Sequence, residues 1–371
     1  MTITAQRVDV AVERLDVSVF TVPTDFPESD GTAKWDATTM VLVEAHAGDR
    51  TGLGYTYGDP AAGALIRGTL APLVEGRDAL AVTRTTELLR RACRNLGRPG
   101  LGAMAISAVD TALWDLKARL LDLPLATLLD AVHDAVPVYG SGGFTSYTDD
   151  QLADQLAGWV DDGIPRVKMK IGREPGRDPD RVATARAAIG DDAELYVDAN
   201  GALDRKQALA LAYELVERFA VTWFEEPVTS EDLEGLRLLR DRAPAGVDIA
   251  AGEYGDTLAS FERLLDAGAV DCLQADVTRC EGITGFLRVA ALCEARSLPL
   301  SAHCGPAIHL HPCCAAVPLR HLEYFHDHVR VEHIVFDGVP EPVGGALRPD
   351  LSRPGNGLEL KRSDAEQYAD D

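Results

Sequence analysis

A chain of 371 residues suits two domains or one large barrel, and 46% hydrophobic against 26% charged residues is the balance of a globular protein with a sizeable core. Its 36 Lys+Arg against 59 Asp+Glu leave a formal net charge of −23, which argues against nucleic acid or an anionic membrane surface as partner but leaves room for a small anionic substrate at a locally basic site. The start, MTITAQRVDV, has no basic stretch followed by an apolar one, no run is long enough to span a bilayer, and seven cysteines without CxxC spacing read as free thiols of a cytoplasmic protein.

Residues 7–20 and 39–46 (TMVLVEAH) predict strands, joined by the polar, turn-rich PTDFPESDGTAKW. In AISAVDTALWDLKARLL, Ile106, Val109, Leu113, Leu116 and Leu120 recur at spacings of three and four, which predicts an amphipathic helix. Residues 1–130 thus read as a small α+β unit. From residue 136 short apolar stretches alternate with helical ones: VPVYG, VKMKI, ELYVDAN, TWFEEP, VDIAAGE, VDCLQADV, LPLSAHC and LEYF, with amphipathic segments between most of them. Seven or eight such β-then-α units predict a parallel sheet covered by helices, either doubly wound or closed.

The ionisable residues decide between the two. Lys170, Asp198, Glu225, Glu253, Asp276, His303 and Glu323 stand at the C-terminal ends of successive predicted strands, each about one βα unit after the last. In an open sheet these ends lie along a line; in a closed (β/α)8 barrel they ring one mouth, where the active sites of such barrels sit. The expected architecture is therefore an α/β chain with a (β/α)8-type barrel at 131–333, and an α+β capping domain formed by residues 1–130 and completed by the C-terminal tail 334–371.

Asp198, Glu225 and Glu253 on adjacent strands supply the hard oxygen ligands that suit Mg²⁺. Lys168 and Lys170 of VKMKIG stand on one flank, and His303, one strand beyond Asp276, on the other. A cation between two acid/base groups suits removal of a proton from the carbon next to a carboxylate.

VKMKIG, YVDAN, WFEEP, AGE, the Asp of QADVTRCEGITGF, the His of SAHC and the Glu of HLEYF, in this order, resemble the mandelate racemase subgroup of the enolase superfamily, as does the ALWDLKARLLDLP helix with the family's capping domain. Members of that superfamily pair a Lys or His base with Mg²⁺. The resemblance implies that Asp198, Glu225 and Glu253 hold Mg²⁺, with Glu226 the fallback in WFEEP. It implies that Lys170 acts on one face of the substrate carbon and His303, with Asp276, on the other. Lys168 sits behind Lys170, where its like charge favours the neutral form of its neighbour; Glu323 hydrogen-bonds a substrate carboxylate oxygen, and Asn200 lies beside the metal. The loops PTDFPESDG and GYTYGD (54–59) are expected to close over the barrel mouth, and a closed homo-oligomer is the family habit.

The implied reaction is Mg²⁺-assisted abstraction of the α-proton of a carboxylate through an enediolate, foremost dehydration of an acid sugar to a 2-keto-3-deoxy acid. The alternative is racemisation or epimerisation of a 2-hydroxy acid. A metal-dependent hydrolase would carry its His-x-His motif on the first barrel strand, where VPVYGSGG has no histidine, and a ligand-binding barrel does not need a full set of ligands and bases. In HCGPAIHLHPCC (303–314) adjacent cysteines are poor zinc spacing, so the segment is expected to be a packed helix with Cys304 a buried thiol. HDHVRVEH (326–333) is expected to be a charged surface stretch.

Overall fold

The computed structural model describes residues 10–370, so residues 7–9 of the first predicted strand lie outside it. An antiparallel sheet of β1 (Arg14–Ser29), β2 (Lys34–Ala47) and β3 (Arg50–Tyr57) opens the chain. Most of the segment predicted as turn-rich is strand: β1 and β2 run on past the sheet as a two-stranded arm, with a register break between Pro23 and Glu28 that accommodates the proline. Only residues 30–33 turn, where Asp30 Oδ1 accepts from the backbone N–H groups of Thr32 and Ala33, both at 2.6 Å. The arm reaches the barrel, and the Thr145 N–H donates to Ser29 O at 2.8 Å. GYTYGD is not a loop over the mouth; its first four residues end β3, with Tyr55 and Tyr57 buried.

The predicted amphipathic helix is Ala103–Leu120, laid across β3. Gly52 and Gly54 permit this approach, since a Cβ at either would meet a backbone carbonyl of the helix, that of Ala112 or Ala108, at 2.3 Å. The shared interior is apolar, including Val41, Val43, Ile106, Val109 and Leu116.

Eight parallel strands follow: β4 (Val136–Gly142), β5 (Arg166–Lys170), β6 (Glu194–Asp198), β7 (Val221–Glu225), β8 (Asp248–Ala251), β9 (Cys272–Ala275), β10 (Leu300–Ala302) and β11 (Leu319–Phe325). Pairing of β11 with β4 closes them into a barrel surrounded by the intervening helices. In VKMKIG apolar residues alternate with lysines, and the closed barrel explains why. Side chains on a strand face opposite sides in turn: Val167, Met169 and Ile171, with Leu195, Val197 and Phe224, join the core between strands and helices. The intervening residues face the barrel axis. There Tyr139, Tyr196, Trp223, Ala250 and Cys272 form a separate inner cluster, with Tyr196 stacked on Trp223 at 5.4 Å between ring centroids. This plug fills the barrel below the charged strand ends, so the mouth is a closed-bottomed cup, as in other barrels of this kind.

After the barrel the chain returns to the first sheet. Phe336 pairs with Leu360, Arg362 reaches Glu44, and the Asp370 N–H donates to Val19 O at 3.0 Å. HDHVRVEH is not a surface stretch. It forms most of the helix His326–Val335, wedged between the barrel and the first sheet with Asp327, His328 and Glu332 buried. Its charges have partners: Tyr55 Oη donates to Glu332 at 2.6 Å, Thr38 to Asp327, and the His328 ring stacks on Tyr57 at 3.5 Å. Among the described residues no helix is long and apolar enough to cross a membrane.

Candidate active site

Strand register aligns the ring: Lys170 pairs with Asp198 and Asp198 with Glu225 across three neighbouring strands, and Glu253 follows the end of β8. One oxygen each of Asp198, Glu225 and Glu253 lies within 4.8 Å of the others, so Glu225 is the glutamate of WFEEP that joins the cluster. Beside them Glu226 Oε1 and Asn200 Oδ1 are buried without a hydrogen-bond partner. An oxygen-only donor set with unsatisfied buried neighbours fits a hard divalent cation such as Mg²⁺. Burial and the charge of Asp198 push Glu225 up to about 8, and burial with Glu253 drives Glu226 upward.

Lys168, fully buried, touches both Glu225 oxygens at 2.7 and 2.8 Å and Glu323 Oε1 at 2.7 Å. Lys170 Nζ meets Asp198 Oδ2 at 2.5 Å. Burial works to lower the Lys170 pKa and Lys168 adds to that, but Asp198, Glu253 and Glu225 together outweigh both and the ammonium is held above its ordinary range. The neutralising effect expected of Lys168 on its neighbour is therefore overridden in this structure. Lys168 serves first as counter-ion to two glutamates.

Across the mouth, His303 Nδ1 lies 2.9 Å from Asp276 Oδ2 while Nε2 lies 3.0 Å from Glu253 Oε2. Burial disfavours the imidazolium, but Cys304, Glu253 and Asp276 together hold His303 well above its ordinary pKa. Glu323 accepts from Ser141 Oγ at 2.5 Å and from the Cys304 N–H at 3.1 Å. Burial alone would protonate it, yet Lys168 and His303 keep it ionised. To hydrogen-bond a substrate carboxylate, as the resemblance implies, Glu323 has first to gain a proton.

Lys170, Asn200, Glu253 and His303 line one cavity of about 240 Å³. A larger cleft of about 870 Å³ lies between the hairpin arm and neighbouring barrel loops, with Trp35 lining both, but none of the ring residues line it. The smaller cavity is the site, because the ionisable groups converge there. Its remaining wall holds residues not singled out from the sequence: Asp30, Trp35 and Thr38 from the arm, Tyr254, Arg279 and His328. Arg279, the only arginine lining the cavity among the described residues, lies 3.6 Å from Asp276 Oδ2 and 5.5 Å over the Tyr254 ring. It stands in the quoted QADVTRCEGITGF, so the loop after a charged strand end was the available signal. No pattern in the arm marks Trp35, because only the folded hairpin brings it to the mouth.

Asn200, Glu226 and Cys304 have φ values of 44°, 38° and 53°, left-handed conformations for non-glycine residues. All three stand within two residues of a ring residue, so the chain accepts local strain where it turns out of the strands, a common mark of functional sites. The HCGPAIHLHPCC segment is the packed helix expected. His309 Nε2 accepts from the Val277 N–H at 2.7 Å, His311 Nδ1 accepts from the Ala126 N–H at 3.0 Å, and Cys313 and Cys314 are buried.

Comparison with known proteins agrees with this architecture. Residues 14–130 match the mandelate racemase/muconate lactonizing enzyme N-terminal domain, and residues 151–365 match the enolase C-terminal domain-like family. The chain is 33% identical over 335 residues to the L-talarate/galactarate dehydratase of Salmonella typhimurium, covering 87% of this chain and 83% of that one. Other relatives are named as dehydratases and cycloisomerases. A mandelate racemase/muconate lactonizing enzyme-like protein from Rubrobacter xylanophilus superposes with a TM-score of 0.95 at 62% identity, covering 97% of this chain and 100% of that one. A racemase from Streptomyces coelicolor, solved with bound magnesium, superposes at 0.91 and 30% identity, with 97% and 100% covered. The chain is a member of the enolase superfamily, in its mandelate racemase/muconate lactonizing enzyme group.

Proposed function

We propose that the protein abstracts the α-proton of a small acid sugar and expels its 3-hydroxyl, giving a 2-keto-3-deoxy acid. The observation that carries this reading is that Lys170 on β5 and His303 after β10 line one cavity, with Asp198, Glu225 and Glu253 on the three strand ends between β5 and β9. Mg²⁺ held by those three carboxylates would supply positive charge where negative charge builds on the substrate carboxylate. Lys168 places a second fixed positive charge beside the same carboxylates. Lys170 Nζ and His303 Nε2 are the proton-moving atoms: one takes the α-proton, the other gives a proton to the departing hydroxyl. Asp276 holds the His303 ring so that Nε2 faces the cavity.

Arg279, a guanidinium on the cavity wall from the loop after β9, supports a substrate with a second anionic end. That agrees with a relative named for galactarate and talarate. The second reading is racemisation or epimerisation of a 2-hydroxy acid, which needs the same two opposed groups and is favoured by the likeness to the Streptomyces racemase. A screen of acid sugars, diacids first, with Mg²⁺ present separates them. Release of a 2-keto acid supports dehydration. Exchange of the α-hydrogen with D₂O but no keto acid would sink it in favour of the second reading.

A further inference from the structure

The proton-transfer chemistry leaves the thiol beside His303 unused. Cys304 follows His303 directly, lines the cavity and is 4% exposed. Its left-handed backbone turns the thiol back towards the ring, and its N–H donates to Glu323 Oε2 at 3.1 Å. Sγ thereby lies 3.2 Å from His303 Nε2 and 3.4 Å from Glu323 Oε2, and those two atoms are 3.8 Å apart. A nitrogen, a sulfur and an oxygen thus mark a triangle with sides near those of a tetrahedral ion, whose ligands at about 2.0–2.3 Å lie roughly 3.3–3.6 Å from one another.

Two further features match a metal site. Metal-bound histidines commonly donate their other ring N–H to a carboxylate, and His303 Nδ1 already sits 2.9 Å from Asp276. The three donors are buried, and together they offer the mixed N/S/O chemistry of a borderline-soft cation rather than of Mg²⁺.

We propose that His303, Cys304 and Glu323 form a second cation site, bordering the carboxylate trio at Glu253, whose Oε2 lies 3.0 Å from His303 Nε2, for a thiophilic divalent ion such as Zn²⁺, and that filling it silences the His303 face of the cavity. As the ion binds, the thiol proton and the proton on His303 Nε2 both leave to solvent. The ion takes the Nε2 lone pair, so His303 can neither accept nor deliver a proton. Glu323 would bind through Oε2 and keep Oε1 on Lys168. The site does not depend on which acid the enzyme processes.

Co²⁺ added to the Mg²⁺-saturated protein reads the site without an activity assay. The expected result is a thiolate-to-cobalt charge-transfer band that Zn²⁺ removes by displacement, that is lost in Cys304→Ser, and that appears in His303→Asn only at metal concentrations about 100-fold higher or more, beyond the range for residues that merely support ligands. Absence of the band in the wild type overturns the proposal. So does an unchanged band in Cys304→Ser, which would assign it to another of the seven thiols. Should Cys304→Ser not fold, His303→Asn carries the test alone, and unchanged Zn²⁺ affinity there contradicts the site.

Discussion

Asp276 Oδ2 lies 2.9 Å from His303 Nδ1, and that contact leaves Nε2 as the imidazole nitrogen facing the cavity. The Asp276 carboxyl is held well below the ordinary carboxylate range: burial opposes this, but the hydrogen bond from His303 and the nearby His309 outweigh it. Asp276→Asn keeps the shape and removes the charge. Exchange of the α-proton on the His303 face should fall by roughly 10²- to 10⁴-fold, the range of general acid–base assistance, while exchange on the Lys170 face persists. Chirally deuterated products resolved by NMR check this; equal loss on both faces would show that Asp276 acts through the whole site instead.

Glu225 and Glu226 adjoin in sequence, but only Glu225 joins the cluster with Asp198 and Glu253. Glu225→Gln should weaken Mg²⁺ binding, read by calorimetry, by about 100-fold or more, exceeding the 10- to 100-fold typical of residues that merely support ligands. Glu226→Gln should fall within that lower range. The reverse order would move the ligand assignment to Glu226.

Much of this was legible in the chain because barrel chemistry repeats. Each βα unit delivers one strand end, so Lys170 through Glu323 could be ordered around a mouth before any contact was known. What escaped were features set by packing between distant segments. HDHVRVEH carries six ionisable side chains in eight residues and reads as solvated, yet it is wedged under the first sheet, where Tyr55 of β3 and Thr38 of β2 accommodate its carboxylates. GYTYGD reads as a loop because glycines interrupt it. The one at 54, like Gly52 just before the segment, is instead where a helix crosses the strand. The charge balance at Lys168 was also hidden, since its partners Glu225 and Glu323 come from strands far along the sequence.

Burial pushes Glu332 from its ordinary 4.5 up to about 8, against the hydrogen bonds from Tyr55 and the Ala307 N–H. A carboxyl raised in the folded state keeps a proton that the unfolded chain has lost, so its contribution to stability is full below about pH 4.5 and is lost as pH rises through about 8. Glu332→Gln has no such proton to release. Its melting temperature relative to the wild type should therefore climb steadily between those two limits, and parallel melting curves across that window would contradict the assignment.

Gly54 faces the Ala108 carbonyl with room for a hydrogen only. Gly54→Ala should cost about 1–3 kcal/mol, the usual range for overpacking, by prying the helix Ala103–Leu120 from the sheet. Urea unfolding should show a lower midpoint at unchanged slope. A neutral result would mean that the helix shifts away freely.

The central claim is that Lys170 and His303 work opposite faces of one carbon. Lys170→Met removes the ammonium beside Asp198 and leaves the Asp276–His303 pair in place. The most direct measurement follows α-deuterium uptake from D₂O, with Mg²⁺ bound and a turned-over acid sugar as substrate, in Lys170→Met and His303→Asn side by side. The account predicts that each variant loses exchange on one face, a different face in each, while both still fold and bind Mg²⁺. Exchange surviving on both faces of Lys170→Met would contradict it.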